Sequence, residues 1–415
     1  MRIVNARGKP NRRKNGCTVL ALCAITAAAL PAQTLTTLHS FCSAIGDGCP
    51  DGQNPRAGLV QATDGDLYGT TEFGGAGLAG VFGTIFKITP GGALTTLQSF
   101  GGATEGIYPY AGLIQAANGN LYGTTSQGGA NGGGTIFEIG LAGALTTVNS
   151  FGLGHGSQPW AGLVQTADGD FYGTTTKGGI YYYGAVFKLS ATGALTTLHS
   201  FCSQGPPCPD GAAPQAGLIQ GADGALYGTT NQGGAKPCPK LGCGTVFKIT
   251  PAGDFTTLHS FSWSDGGAPG ASLVQAPDGY FYGTTSDGTT GGGTVFKITP
   301  SGALTTLYTF CSVDGCVDGG GPGGLIRTAE GLLYGMTNGG GAHGGGTIFK
   351  IAPGGALTTV YSFCSQSGCA DGSAPGGPLV QAADGSFYGT TFSGGTSRTC
   401  GSGCGTVFRL SGGPG

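Results

Sequence analysis

From residue 35 onward, short runs of apolar, β-branched and aromatic residues alternate with clusters of Gly, Asp, Asn and Pro. No run carries helical spacing, and each has the length and boundaries of a strand. Four phrases account for nearly all of them. Leu-Thr-Thr-Leu/Val begins at Leu35, Leu94, Leu145, Leu195, Leu304 and Leu357, with Phe255 opening a variant. Gly-Leu-Val/Ile-Gln begins at Gly58, Gly112, Gly162 and Gly217, with variants at Ser272, Gly324 and Pro378. Tyr-Gly-Thr-Thr begins at Tyr68, Tyr122, Tyr172, Tyr227, Tyr282 and Tyr388, with Tyr334 opening the variant Tyr-Gly-Met-Thr. The fourth phrase reads Gly-Thr-Val/Ile-Phe-Lys-Ile, as at Gly244 to Ile249.

The connections define the pairing. Asp-Gly or Asn-Gly steps such as Asp64-Gly65 and Asn118-Gly119 join the second phrase to the third, and this dipeptide favours a tight hairpin. Thr-Pro-Gly-Gly, at Thr89 to Gly92, joins the fourth phrase to the first in the same way. Each unit therefore reads as four antiparallel strands: A (Gly-Leu-Val-Gln), B (Tyr-Gly-Thr-Thr), C (Val-Phe-Lys-Ile) and D (Leu-Thr-Thr-Leu). Units of about 50 residues, repeated seven times, predict an all-β, seven-bladed β-propeller rather than a solenoid of shorter repeats. The ends predict how it closes. An isolated D strand at 35–41 opens the ring and an isolated C strand, Gly405 to Leu410, ends it. The first can complete the last blade.

These phrases resemble the GloVer tandem repeat of secreted bacterial proteins, over essentially all of residues 35–410. The resemblance implies export and, in some members, a C-terminal surface anchor, without a defined activity. The final Arg409-Leu-Ser-Gly-Gly-Pro-Gly415 has no apolar tail to serve as such an anchor.

Composition sharpens the picture. Glycine supplies 89 of 415 residues, without the every-third-residue period of collagen. The first 32 residues differ in kind. A basic head from Arg2 to Lys14 precedes an apolar run from Cys17 to Leu30 that ends in small residues, the layout of a secretory signal peptide. We expect residues 1–32 to be a leader, 33–410 the propeller and 411–415 a short tail. The run is too short to span a bilayer comfortably, and no membrane span is expected after its removal. The leader holds six of the 18 basic residues and none of the 20 acidic ones, so the remaining chain is acidic. Six of the remaining bases (Lys87, Lys188, Lys248, Lys297, Lys350 and Arg409) share one repeat position and are spread round the ring. Nucleic-acid binding thus lacks its electrostatic footprint.

Beyond the leader, 12 cysteines fall into six close pairs: Cys42/Cys49, Cys202/Cys208, Cys238/Cys243, Cys311/Cys316, Cys364/Cys369 and Cys400/Cys404. Their even number and tight spacing point to loop-closing disulfides in an oxidising compartment, secreted, surface or periplasmic. Zinc would need two such pairs to converge, which is not expected for pairs on separate repeats, so no metal or other cofactor is expected.

All six pairs, and all the length variation, lie in the D–A crossovers and B–C loops, which share one face of a propeller. Loops held on a rigid scaffold are where binding usually resides. The residue ahead of each A strand should stand at the channel mouth: Arg56, Tyr110, Trp160 and Gln215, then Gly270, Gly323 and Gly376. Four large or polar side chains followed by three glycines predict a lopsided pocket lined by Arg56, Tyr110, Trp160 and Gln215. Aromatic faces beside hydrogen-bonding groups suit sugars or other polar ligands. A recurrent crossover acid (Asp51, Asp210, Asp265, Asp318 and Asp371) reads as an Asp-Gly turn rather than a calcium ligand. His39, His199 and His259 share a strand position with Gln98, Asn149, Tyr308 and Tyr361 and read as a tolerant site.

No catalytic constellation emerges: there is no Gly-x-Ser-x-Gly elbow and no His-Glu-x-x-His. The expectation is a monomeric, exported, non-enzymatic protein that binds carbohydrate or an extracellular protein. The alternatives are a polysaccharide-acting lyase or hydrolase and a purely structural matrix protein.

Overall fold

Each repeat forms the sheet its phrases predict. In the computed structural model, which describes residues 33–43, 48–76, 82–102, 104–236, 238, 242–397 and 399–412, every sheet is antiparallel, and all but the last follow chain order. Blade 1 comprises Val60–Gln61, Leu67–Thr71, Thr84–Ile88 and Leu94–Ser99, and its pattern repeats around the ring. The seven sheets make a seven-bladed β-propeller. The described residues contain no α-helix, only 3₁₀ turns in three crossovers, and so none long and apolar enough to cross a membrane. The expected leader and the end of the tail lie outside the described residues.

The ring closes as expected. Strand Thr34–Ser40 pairs antiparallel with Thr406–Ser411, with Thr34 opposite Ser411 and Ser40 opposite Thr406, and so supplies strand D of blade 7. Two blades depart from the common pattern. Blade 7 gains a short outrider, Ser373–Pro375, against its B strand. In blade 6 the A strand runs unbroken over Gly320–Arg327.

The repeated residues recur because each one bridges to a neighbouring blade or fits a fixed space. The Phe ending each D strand is buried and meets the C-strand Phe of the next blade. Phe100 packs on Phe137, Phe151 on Phe187, Phe201 on Phe247, Phe261 on Phe296, Phe310 on Phe349 and Phe363 on Phe408. Phe41 on Phe86, edge to face at 5.2 Å, is the closing member. The first Thr of Tyr-Gly-Thr-Thr donates to a carbonyl of the next blade, as Thr70 to Ala111 at 3.1 Å and, across the seam, Thr390 to Ala57 at 2.9 Å. The A-strand Gln accepts from the preceding blade's A–B turn, as Gln115 from the Thr63 amide and Gln61 from the Ala383 amide. The glycine of the same phrase is forced by packing: a Cβ on Gly69 would lie 2.6 Å from the Phe86 ring and 2.7 Å from Leu59.

Candidate functional site

The A strands ring the channel, and its mouth on the loop-rich face is a cavity of about 510 Å³. Arg56, Tyr110, Trp160 and Gln215 all line it, together with Gly270, Gly323 and Gly376. The Pro ahead of each such residue packs over a glycine of the preceding B–C loop, as Pro109 over Gly83 and Pro214 over Gly184, and this holds the entry to strand A in place.

Three of the four named side chains form one connected wall. Tyr110 and Trp160 stack with ring centroids 5.4 Å apart and planes 16° from parallel. The Arg56 guanidinium lies 5.3 Å from the Tyr110 ring and 4.4 Å from the Phe392 ring. Gln215 continues the wall on the next blade. Trp160 remains 36% exposed although it stands in the cavity, so its face is open to a ligand.

The anchor of this wall is Glu72, which the reading of the sequence did not single out. Its side chain is only 3% exposed. It accepts from Arg56 Nε through one oxygen and from the Tyr110 hydroxyl, at 2.6 Å, through the other. Burial, and then the Glu72 carboxylate, push the Tyr110 phenol up to about 12. The phenol therefore stays protonated and keeps donating. Glu72 follows Tyr-Gly-Thr-Thr, and the equivalent residues are Ser126, Thr176, Asn231, Ser286, Asn338 and Phe392. This variable position after a uniform phrase was the available signal, since Asn231, Ser286 and Asn338 also line the cavity.

The three glycines opposite are not equivalent. A Cβ at Gly270 would come no nearer than 3.8 Å to another heavy atom, so the space there is free. At Gly376 it would lie 2.5 Å from the Arg56 carbonyl, and at the adjacent Gly377 1.8 Å from the Gly58 nitrogen. Those glycines let blades 7 and 1 close together. Gly323 is a correction to the sequence alignment. Pro322-Gly323-Gly324-Leu325 is one residue shorter than Pro55-Arg56-Ala57-Gly58-Leu59. The Gly323 carbonyl accepts from Thr284, as Ala111 does from Thr70, so it replaces Ala57 and not Arg56.

The crossover acids are turn residues, as expected. Their carboxylates accept from crossover amides: Cys42 to Asp51, Cys202 to Asp210, Ser262 to Asp265, Cys311 to Asp318 and Ser365 to Asp371. The strand position read as tolerant is in fact selective. His39, His199 and His259 bond Asp51, Asp210 and Asp265, and the Tyr308 and Tyr361 hydroxyls donate to Asp318 and Asp371. Each acid is thus engaged by its own strand and loop.

The six cysteine pairs form disulfides: Cys42–Cys49, Cys202–Cys208, Cys238–Cys243, Cys311–Cys316, Cys364–Cys369 and Cys400–Cys404. The expectation that separate pairs stay apart fails at one place. The sulfurs of Cys42, Cys49, Cys400 and Cys404 lie within 4.8 Å of one another. Pairs about 350 residues apart meet because both flank the two strands that close blade 7.

Comparison with known proteins agrees with this architecture. The sequence model of the Gloeobacter/Verrucomicrobia repeat matches residues 24–240 and again 240–414, so the chain belongs to that family. No curated protein matches it. Among solved structures it is similar to the extracellular domain of a protein described as a hybrid two-component system from B. thetaiotaomicron. The TM-score is 0.58 at 11% identity, covering 90% of this chain and 39% of that one. A second such extracellular domain from B. thetaiotaomicron gives 0.55 at 11%, covering 91% and 41%. The chain thus spans about two fifths of the length of either. A protein described as a 6-phosphogluconolactonase from Bacteroides fragilis NCTC 9343 gives 0.50 at 18%, covering 79% and 88%. At these identities the likeness is one of fold.

Proposed function

We infer that this Gloeobacter/Verrucomicrobia-repeat propeller is an exported binding protein that takes a carbohydrate, or a similarly hydroxyl-rich ligand, at its channel mouth. The observation that carries the reading is the built asymmetry of the cavity. One wall is an aromatic stack, Tyr110 on Trp160, fixed from behind by the buried Glu72 and by Arg56. The facing wall has free space at Gly270. Such a wall offers an apolar face to the C–H side of a sugar ring, with guanidinium and amide groups beside it for hydroxyls. Its side chains are held before a ligand arrives, which lowers the entropy cost of binding. Export is supported by the six disulfides, which persist in oxidising compartments.

Binding is favoured over hydrolysis by the acid inventory. Glycoside hydrolysis usually requires two carboxylates across the bond. Among the described residues lining the cavity there is no Asp or Glu, and Glu72 behind the wall is committed to Arg56 and Tyr110.

A glycan array probed with the oxidised chain tests this reading. Specific retention of a glycan that falls at least tenfold in Trp160→Ala, with unchanged thermal unfolding, is the expected result. Retention that Trp160→Ala leaves intact, or no glycan retained at all, would overturn it.

A further inference from the structure

Of the six cysteine pairs, two meet. Cys42, Cys49 and Cys404 are buried and Cys400 is partly so. Their four sulfurs fall within 4.8 Å of one another, the one group of candidate metal ligands among the described residues. Cys42 and Cys49 lie on the crossover that leaves the closing strand Thr34–Ser40, and Cys400 and Cys404 on the loop that enters Thr406–Ser411. Neither local disulfide joins the two ends of the chain. Something that engages all four sulfurs would.

We propose that in their reduced form these four cysteines are a tetrathiolate site for Zn²⁺, which clamps the propeller's two ends at the seam. A tetrahedral ion with Zn–S bonds of about 2.3 Å holds its sulfurs roughly 3.8 Å apart, within the spread found here. Cys400-x-x-x-Cys404 has a spacing within the range usual for structural zinc sites, and Cys42 and Cys49, more widely spaced, are both at positive φ (59° and 53°). The surroundings also suit thiolates. The Gln53 side-chain amide oxygen stands 3.3 Å from the Cys49 sulfur and 3.0 Å from the Cys400 sulfur, spanning the two loops. Oxygen and nitrogen of an amide exchange places by a simple flip, and in the flipped state the NH₂ group donates to both sulfurs. The Ser397 hydroxyl lies 3.6 Å from the Cys404 sulfur and ties its loop to the other through the Cys42 carbonyl at 2.6 Å. Binding displaces four thiol protons, one from each ligand. The ion and the two disulfides are alternatives, because a disulfide sulfur has no thiolate to offer. Zinc would therefore hold the ring closed in a chain not yet oxidised, and the disulfides would take its place afterwards.

The test is an anaerobic Co²⁺ titration of the full chain, reduced and freed of metal, with Zn²⁺ as competitor. One equivalent should bind with the charge-transfer and ligand-field bands of tetrahedral thiolate cobalt, and Zn²⁺ should displace it. The bands should vanish in Cys400→Ser/Cys404→Ser and persist in Cys238→Ser/Cys243→Ser. Bands that survive the first substitution, that are lost equally in the second, or that persist after full oxidation would overturn the site. A readout independent of variants is the zinc content, by native mass spectrometry, of full chain purified from a reducing cytoplasm. One zinc per chain is expected, and none would overturn the proposal.

Discussion

Phe41→Ala is the substitution that separates closure of the ring from ordinary core packing. Phe41 is fully buried, donates its amide to the Gly405 carbonyl at 3.0 Å, and meets Phe86 edge to face at 5.2 Å. It packs in a core built from both ends of the chain, with Leu59, Leu67, Tyr388 and Val407. Truncating a fully buried Phe costs about 3–5 kcal/mol, of which the edge-to-face pair supplies about 1 kcal/mol. The urea midpoint should fall by about 1 M. A double-mutant cycle with Phe86→Ala should return a coupling of about 1 kcal/mol. Phe201→Ala is the control, because Phe201 makes the same contact with Phe247 from a D strand that a hairpin joins to strand C of its own blade. The two variants should lose comparable global stability. Only Phe41→Ala should also speed hydrogen exchange at Thr34–Ser40 and Thr406–Ser411, since no covalent link holds that seam. A loss under about 1 kcal/mol, or identical exchange maps for the two variants, would refute the claim that these rings form one closing series.

Four further outcomes follow from the site, its supports and the crossover acids. Gly270→Phe should fold with stability near the parent and abolish ligand retention by filling the cavity. Gly377→Ala should cost about 1–3 kcal/mol by overpacking the seam, read by urea unfolding. Glu72→Gln removes the charge that helps hold the Tyr110 phenol at about 12, so one tyrosine should titrate closer to 10 in an alkaline difference-absorbance titration. Asp265 is pushed up by burial but more strongly down by its hydrogen bonds from His259 and the Ser262 amide, to about 2. Its contribution, on the order of 1 kcal/mol after allowance for solvent screening, is present above the unfolded value near 3.8 and lost as pH falls through 2. Asp265→Asn should flatten the acid limb of stability over that window.

The repeat made the architecture legible before any coordinates. Strand-length phrases, Asp-Gly hairpin steps and an orphan D strand at the start already specify seven antiparallel units and their closure, because these are local signals that each unit repeats. Proximity in sequence likewise marked the disulfide partners, whose loops are only a few residues long. The channel-mouth column, from Arg56 through Gln215, was visible as variation at a fixed repeat position. What the sequence left undetermined were contacts between units. Glu72 sits in one blade and acts on Tyr110 of the next, so nothing local to either marks the pair. His39 and Asp51 looked unrelated until one blade's geometry set them 2.8 Å apart. The deletion beside Gly323 was invisible to alignment by phrase and appears only in which carbonyl Thr284 reaches. Cys42 and Cys404 lie at opposite ends of the chain, and only closure of the ring makes them neighbours. Local chemistry repeats with the unit and can be read from it, whereas the site and the seam arise where different units meet, which the tertiary structure alone decides.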